Sequence, residues 1–323
     1  MNAKQNAHMS VGIDVAKEKV DVAIRFTNGE YEHSLFDNTS EEEIQKLSKW
    51  LSEHGISKDT PIVIESTGSY HWLCCIALAE QKFKVHLINP LMTKKYERAS
   101  IRGSKTDKID AKRLADIGTI ETNLPLFFDS RESLSQKRYL SLIRKLEKTK
   151  QQLKRAFDDA VYASESIGVE LQVDCISIAL KQLEESMNVL KKIITDDASD
   201  MAKELATIPG VSLFQATAIC TAVSGRTFET KDQLVAFFGL DIRARQSGQW
   251  TGREKISKRG NAYYRQILFQ LGWSLQRNND TFHEYYERMY KEQGKHYYTA
   301  ILATARKFLR YFHAYYLVPC QAD

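Results

Sequence analysis

Asp107 and Asp110 stand three residues apart in Lys105-Thr106-Asp107-Lys108-Ile109-Asp110-Ala111-Lys112-Arg113, a stretch otherwise rich in cations. On a helix, positions i and i+3 share a face. The two carboxylates would therefore project together among Lys105, Lys108, Lys112 and Arg113, an arrangement suited to a divalent cation held against a polyanion. Solvated helix faces also carry this pair, so it gains meaning only from two further acids. Asp14 interrupts the apolar run Val11-Gly12-Ile13-Asp14-Val15, where an unpaired carboxylate is costly to bury. An edge strand turning Asp14 to solvent is the plain alternative. Glu65 closes Pro61-Ile62-Val63-Ile64-Glu65, at the carboxyl end of an expected strand, where α/β folds gather ligands. Four carboxylates in one small volume repel unless a cation neutralises them, and an all-oxygen ligand set selects Mg²⁺, with Mn²⁺ as a substitute. Two such ions activate an attacking oxygen and stabilise a leaving one in phosphoryl transfer.

The second chemical stretch runs from Arg243 to Asn261. There Arg243, Arg245, Arg253, Lys255, Lys258 and Arg259 face a single acid, Glu254, in a glycine-containing loop that also holds Ser247 and Ser257. Phosphate binding is the direct inference. Upstream, Lys137, Arg144, Lys148 and Arg155 fall on one helical stripe with Lys145, Lys150 and Lys154 beside it and Glu147 as the nearby acid. Charge runs are usually solvated faces with mixed signs. A stripe of one sign repels itself and is best accommodated beside phosphate. Leu205-Ala206-Thr207-Ile208-Pro209-Gly210-Val211 looks like the hairpin of a helix-hairpin-helix motif, in which a glycine turn at Gly210 brings backbone N–H groups to a DNA phosphate. An ordinary helix-helix turn is the alternative.

The elements that must position these groups are legible in outline. Val11–Val15 and Lys19–Ile24 read as strands joined by a tight turn, and Asn28-Gly29 signals a hairpin into the next extended run. Glu41 to Leu51 is an amphipathic helix capped by Ser40. Strands follow at 61–65 and 84–89, around a helix from about Tyr70 to Gln81, and Pro90 stops the last strand. Strands alternating with helices make this an α/β domain. From Arg131 the pattern changes. Tyr139, Leu142, Leu146, Thr149, Leu153, Ala156 and Ala160 recur at three and four, as do Val173, Ile176, Leu180, Leu183, Met187, Leu190 and Ile194, with a turn at Ser164–Gly168. These are coiled-coil seams, forming either an antiparallel hairpin or a dimerisation arm. Helices are expected at Ala216–Val223 and Phe228–Leu240. The reading divides the chain into 1–128, a metal-binding α/β domain; 129–200, a coiled-coil region for homo-oligomerisation as a dimer or tetramer; and 201–323, a mainly α domain with the basic loop.

The bulk composition excludes several classes. At 323 residues with 43% hydrophobic content, 5 prolines and 15 glycines, the chain is neither fibrous nor low in complexity. The net charge of +5 favours an acidic partner. Cys74, Cys75, Cys175, Cys220 and Cys320 show no metal-binding spacing, which suits a reduced cytoplasmic compartment. No apolar run is long enough for a membrane span.

The order Asp14, Glu65, Asp107, Asp110 resembles that of the RuvC-like branch of the ribonuclease H fold, whose corresponding acids bind the catalytic metals. With GIDVAKEKVDVAI, IESTGSYHW, KTDKIDAKRLA, IPGV and FFGLDIRARQSGQWTGREKISKRGN, nearly the whole chain resembles the IS110 family of transposases. That resemblance implies a RuvC-like domain using Mg²⁺ on Asp14, Glu65, Asp107 and Asp110. It also implies a nucleophilic serine before a glycine, here Ser247, with Ser257 the competitor, that becomes covalently joined to DNA. It further implies double-stranded donor and target DNA and a structured guide RNA as partners. The expected activity is strand cleavage, exchange and rejoining. The alternative is a RuvC-like nuclease that hydrolyses junctions with water. A third reading, a non-catalytic nucleic-acid binder with relict acids, leaves the acids without work.

Overall fold

The computed structural model describes residues 9–66, 68–97, 107–243, 246–247, 250–251 and 255–318. The chain divides into two compact units, Met1–Arg131 and Glu132–Asp323. The first is α/β. β1 (Ser10–Val15) pairs antiparallel with β2 (Lys19–Arg25), which pairs antiparallel with β3 (Tyr31–Asp37). Asn28 and Gly29 turn the chain between β2 and β3, with Gly29 at φ +88°, the left-handed conformation such a turn demands. After α1 (Glu41–Glu53), β4 (Ile62–Glu65) lies parallel to β1, and after α2 (His71–Glu80), β5 (Val85–Ile88) lies parallel to β4. The sheet order is β3-β2-β1-β4-β5. Pro90 ends the strand as expected, yet it also opens α3 (Pro90–Glu97), because proline's fixed φ and missing donor cost nothing at a first helical position. α4 (Asp107–Ile120) completes the layers.

Period-two alternation assigns the two faces of β1. Val11, Ile13 and Val15 join a core with Ile44, Leu47 and Leu51 of α1 and Cys74, Cys75 and Leu78 of α2. Gly12 faces the opposite way, toward α4. A Cβ there would lie 2.0 Å from the Ala111 carbonyl oxygen and 2.2 Å from the Ala115 nitrogen, so the helix backbone rests directly on the strand. Ser10, two residues back, donates its hydroxyl to the Ala115 carbonyl (2.6 Å). β1 and α4 therefore run antiparallel, and their contact is as tight as backbone allows.

The second unit is helical. α5 (Arg131–Ile167) and α6 (Asp174–Asp196) form a hairpin tied by Lys150 to Glu184 (2.9 Å). α5 runs through the Ser164–Gly168 turn the sequence suggested, and Gly168 at φ +65° ends it. The α6 seam from Val173 to Ile194 occupies its shielded positions. On α5, Thr149 and Ala156 are exposed, and Ile143, Lys150 and Phe157 take shielded places instead. The base of the hairpin explains the rotation: Leu140, Ile143, Leu190 and Ile194 pack with residues of two later helices, Phe214, Ala218, Tyr263 and Ile267. Those helices belong to the series α7 (Asp200–Leu205), α8 (Leu213–Val223), α9 (Lys231–Phe237) and α10 (Ala262–Asn278). α9 is shorter than the Phe228–Leu240 pattern suggested, because Thr230 caps it by accepting from Gln233 N. Between α9 and α10 lie four two-residue strands, β6 (Ile242–Arg243), β7 (Gln246–Ser247), β8 (Trp250–Thr251) and β9 (Lys255–Ile256). β6 pairs with β9, and β7 with β8. α11 (Asp280–Glu287) and α12 (Tyr297–Phe312) each end in a π-helical turn. Phe238, Leu268, Leu271, Phe308 and Phe312 are central to this unit's core. Among the described residues no helix is long and apolar enough to cross a membrane.

The close approach at Gly12 makes a sharp prediction. Gly12→Ala must push α4 off the sheet and is expected to destabilise the chain by about 3 kcal/mol or more. Gly29→Ala, with nothing within 4 Å of its Cβ, is expected to cost only ~1 kcal/mol, from left-handed strain alone. Urea unfolding of both variants checks the contrast.

Candidate active site

Asp14 lies two residues beyond Gly12 on β1, on the α4 face. Two residues of strand advance the chain by roughly 7 Å, and the four residues from Ala111 back to Asp107 advance the helix by roughly 6 Å. The contact at Gly12 thus sets the first turn of α4, with Asp107 and Asp110, opposite Asp14. On the other side, β1 and β4 pair in parallel at Ile13 and Ile64, which brings Asp14 level with Glu65 on the next step. The carboxyl ends of two adjacent parallel strands and a helix N-terminus therefore supply the four expected acids.

The electrostatics bear out this convergence. The Asp14 carboxyl is pushed up from 3.8 to about 6, first by burial and then by the negative charges of Asp110, Asp107, Glu65 and Asp21. The other three acids each have a partner of their own. Asp107 accepts from Lys19 Nζ (2.5 Å) and Asp110 from Arg113 Nη1 (2.5 Å). Glu65 accepts from the buried Thr93 hydroxyl (2.5 Å), on α3. The set is all oxygen and carries excess negative charge, which is the donor chemistry of a hard divalent cation. Among the described residues, no three His, Cys, Asp or Glu side chains are gathered closely enough to hold one ion. Lys19 and Arg113 draw two of the acids toward themselves.

Asp21 escaped the sequence reading. It sits opposite Asp14 in the β1–β2 register, is 6% exposed, and is held by His33 Nε2 (3.0 Å) and Lys19 Nζ (3.4 Å). Lys19 thereby bridges Asp21 and Asp107. The signal was available: in Val20-Asp21-Val22 strand alternation turns Asp21 to the face opposite the valines, which is the face Asp14 uses. Thr93 also went unread, since only tertiary contact reveals it.

The basic residues fall on separate elements of the second unit. Lys137, Arg144, Lys148 and Arg155 are all on α5, with Lys148 and Arg155 exposed and Arg144 reaching Asn261 Oδ1 (3.5 Å). Ser247 lies in β7 opposite Trp250, and Arg243 in β6 opposite Lys255. Arg245 and Arg253 lie outside the described residues. Lys258 and Arg259 are exposed just before α10. Ser257 donates its hydroxyl to Asp241 Oδ1. Gly210 has φ +92°, and a Cβ on it would lie 3.0 Å from the Leu275 Cα of α10. The Val211 N–H is bound by the Ile208 carbonyl (3.0 Å), and Ser212 and Gln215 form a capping box on α8. Packing against α10 accounts for this glycine, and the capping box takes the N–H groups of Ser212 and Gln215.

Two family models match the chain. One, for the DEDD transposases of IS110, covers residues 11–161. The other, described as transposase of the IS116/IS110/IS902 family, covers residues 202–287. Among curated proteins, the pilin gene-inverting protein of Moraxella bovis is 27% identical over 315 residues, covering 94% of each chain. That of Moraxella lacunata is 27% identical over the same length, again with 94% coverage of each. The DEDD match implies use of a divalent metal without identifying it.

A pH prediction follows from Asp14. Its native carboxyl binds its proton more tightly than the unfolded one, so ionisation penalises the fold. The penalty is absent below about pH 4, grows as pH rises through 6, and is fully present above. Its size is on the order of 2 kcal/mol after allowance for partial exposure. Metal-free wild type is therefore expected to lose thermal stability between pH 5 and 8, whereas Asp14→Asn loses little. Millimolar Mg²⁺ at pH 8 is expected to restore the wild type and leave the variant unmoved. Paired melting curves decide it.

Proposed function

The chain belongs to the IS116/IS110/IS902 family of transposases, and from that premise we propose a DNA recombinase in which carboxylates of the first unit and Ser247 of the second act on one phosphodiester. The chain is a DNA transposase or recombinase enzyme, and the finer chemistry is argued as follows. The observation that carries it is the convergence of Asp110, Asp107 and Glu65 charges on the half-buried Asp14, a costly arrangement without a cationic ligand. Asp14, Glu65, Asp107 and Asp110 would hold the divalent ion, Mg²⁺ or Mn²⁺, which supplies stabilisation of negative charge at the reacting phosphate. Thr93 orients Glu65 by donating to one of its oxygens, and Lys19 and Arg113 pair with Asp107 and Asp110.

Ser247 Oγ attacks phosphorus. One O–P bond forms as one strand P–O bond breaks, and the departing sugar oxygen leaves with the proton the hydroxyl gives up. The phosphoserine conserves the energy of the broken linkage, so an incoming strand hydroxyl can displace Ser247 and rejoin DNA without ATP. Arg243, Arg245 and Arg253 would stabilise the charge on the phosphorane, and Lys137, Arg144, Lys148, Arg155, Lys258 and Arg259 would hold duplex backbone. The relatives are named for inverting a pilin gene, and inversion requires rejoining as well as cleavage. That supports strand exchange over the hydrolytic junction nuclease, which the comparisons do not favour.

Several finer parts belong to the same proposal. These are a RuvC-like, ribonuclease H-like first domain at 1–128, a coiled-coil arm at 129–200 joining dimers or tetramers, and a transposase domain at 201–323 with a helix-hairpin-helix-like turn at Gly210. A structured RNA that pairs with donor and target DNA, and a cytoplasmic site of action on the nucleoid, belong with them.

The test is covalent trapping on a labelled duplex spanning the end of the encoding element, with and without RNA transcribed from its flank. Wild type with Mg²⁺ is expected to yield a protein–DNA adduct on a denaturing gel. Ser247→Ala is expected to give none, and Asp107→Ala or excess EDTA to lower the yield at least ~100-fold. Cut ends without adduct would instead assign water as nucleophile.

A further inference from the structure

The two ends of the segment that carries Ser247 are pinned together in a neck. The Gly239 carbonyl accepts from Lys258 N (3.1 Å) and the Asp241 carbonyl from Ser257 N (2.8 Å). Ile242 then faces Ile256, and Arg243 faces Lys255. Across the neck the Ser257 hydroxyl donates to the Asp241 carboxylate, and the same oxygen accepts from Arg259 N (3.3 Å). The backbones meet where only glycine fits: a Cβ on Gly239 would lie 2.5 Å from Gly260 N, and one on Gly260 2.3 Å from the Phe237 carbonyl oxygen. Phe238, beside this crossing, is 1% exposed in the core, and the Arg265 guanidinium donates to the Gly260 carbonyl. The neck is thus welded to α9 and α10, while the ladder above it consists of two-residue strands, far shorter than those that persist unaided.

We propose that Asp241 and Ser257 are positioning residues whose side-chain bond closes this neck and so fixes the direction in which the segment bearing Ser247 leaves the core. The inference rests on the reading of Ser247 as nucleophile. The Ser257 hydroxyl is both donor and acceptor within the neck, so its chemistry is spent on holding the backbone. The carboxylate is needed as an acceptor, with no proton to take. An amide at 241 and a threonine at 257 preserve the bond, whereas alanine at either position removes it.

The experiment uses the full chain and the labelled element-end duplex. In single-turnover trapping with Mg²⁺, Asp241→Ala and Ser257→Ala are expected to slow adduct formation about tenfold, with duplex affinity by band shift within twofold of wild type. Asp241→Asn and Ser257→Thr are expected to recover at least half the wild-type rate. Independently of catalysis, trypsin is expected to cut between Arg243 and Lys255 several-fold faster in the alanine variants, with the rest of the digest unchanged. Alanine variants that trap at the wild-type rate, or leave the tryptic rate unchanged, overturn the inference. Inactive Asp241→Asn does the same, because it makes Asp241 a proton acceptor. An adduct that survives in Ser247→Ala sinks the nucleophile assignment instead, and the tryptic comparison still judges the neck. Abolition by both Ser257→Ala and Ser257→Thr, with Ser247→Ala active, would move the nucleophile to Ser257 and reject both.

Discussion

The first unit depends on one backbone-to-backbone contact. Where Gly12 meets Ala111 and Ala115 no side chain intervenes, and the Ser10 hydroxyl fastens the same helix one step away. A layer of ordinary side chains would hold a helix some 10 Å from a sheet. Removing that layer lowers α4 until its first turn stands at the height of a strand carboxylate. Asp14 and the Asp107/Asp110 pair lie about 90 residues apart in sequence, and this contact sets them opposite one another. A short side chain at 110 or 107 would not reach across a conventional helix–sheet gap, so the presence of aspartate at both places fits the lowered helix.

Bringing acids together is opposed by their charge, and the structure shows how the opposition is managed. Asp14, the most central, bears the repulsion and holds its proton up to about 6. The outer acids are each given a cation or a donor: Lys19 between Asp21 and Asp107, Arg113 on Asp110, Thr93 on Glu65. Asp21 is more buried than Asp14 yet has two partners, His33 and Lys19, and it acts as the anchor for the lysine that holds Asp107. This partition separates the one carboxylate left to a cationic ligand from those already balanced by protein.

The strands, the capped α1 and the placement of Asp14 and Glu65 were legible because period-two alternation and strand-end position are local properties. The hidden parts are those in which tertiary packing decides. The α5 seam took Ile143, Lys150 and Phe157 in place of Thr149 and Ala156, because α8 and α10 press on the base of the hairpin and choose its buried side. Pro90 reads equally as a stop or a start until the following turn is seen. Gly210 has the same appearance in a phosphate-binding turn and in an ordinary one, and its packing on the Leu275 backbone of α10 belongs to no local pattern. Asp21 and Thr93 were missed for related reasons, one masked by its valine neighbours and the other visible only through Glu65.

The same device recurs in the second unit, where Gly239 and Gly260 let two strands of backbone cross at van der Waals contact above Phe238. In both units a proposed catalytic group sits a few residues beyond a close glycine contact: Asp14 beyond Gly12, and the segment with Ser247 beyond the neck. The economy is physical. A nucleophile aligned to a few tenths of an ångström gains orders of magnitude in effective concentration, and a contact made of backbone has no rotamers through which that alignment can leak. Strand exchange imposes a further demand that hydrolysis does not, since the joined intermediate must be held in register until a second strand arrives. In the proposed reaction, seating both chemical groups on their own cores would meet that demand, and Lys148 and Arg155, long and exposed on α5, would be left to follow a phosphate backbone without reading its sequence.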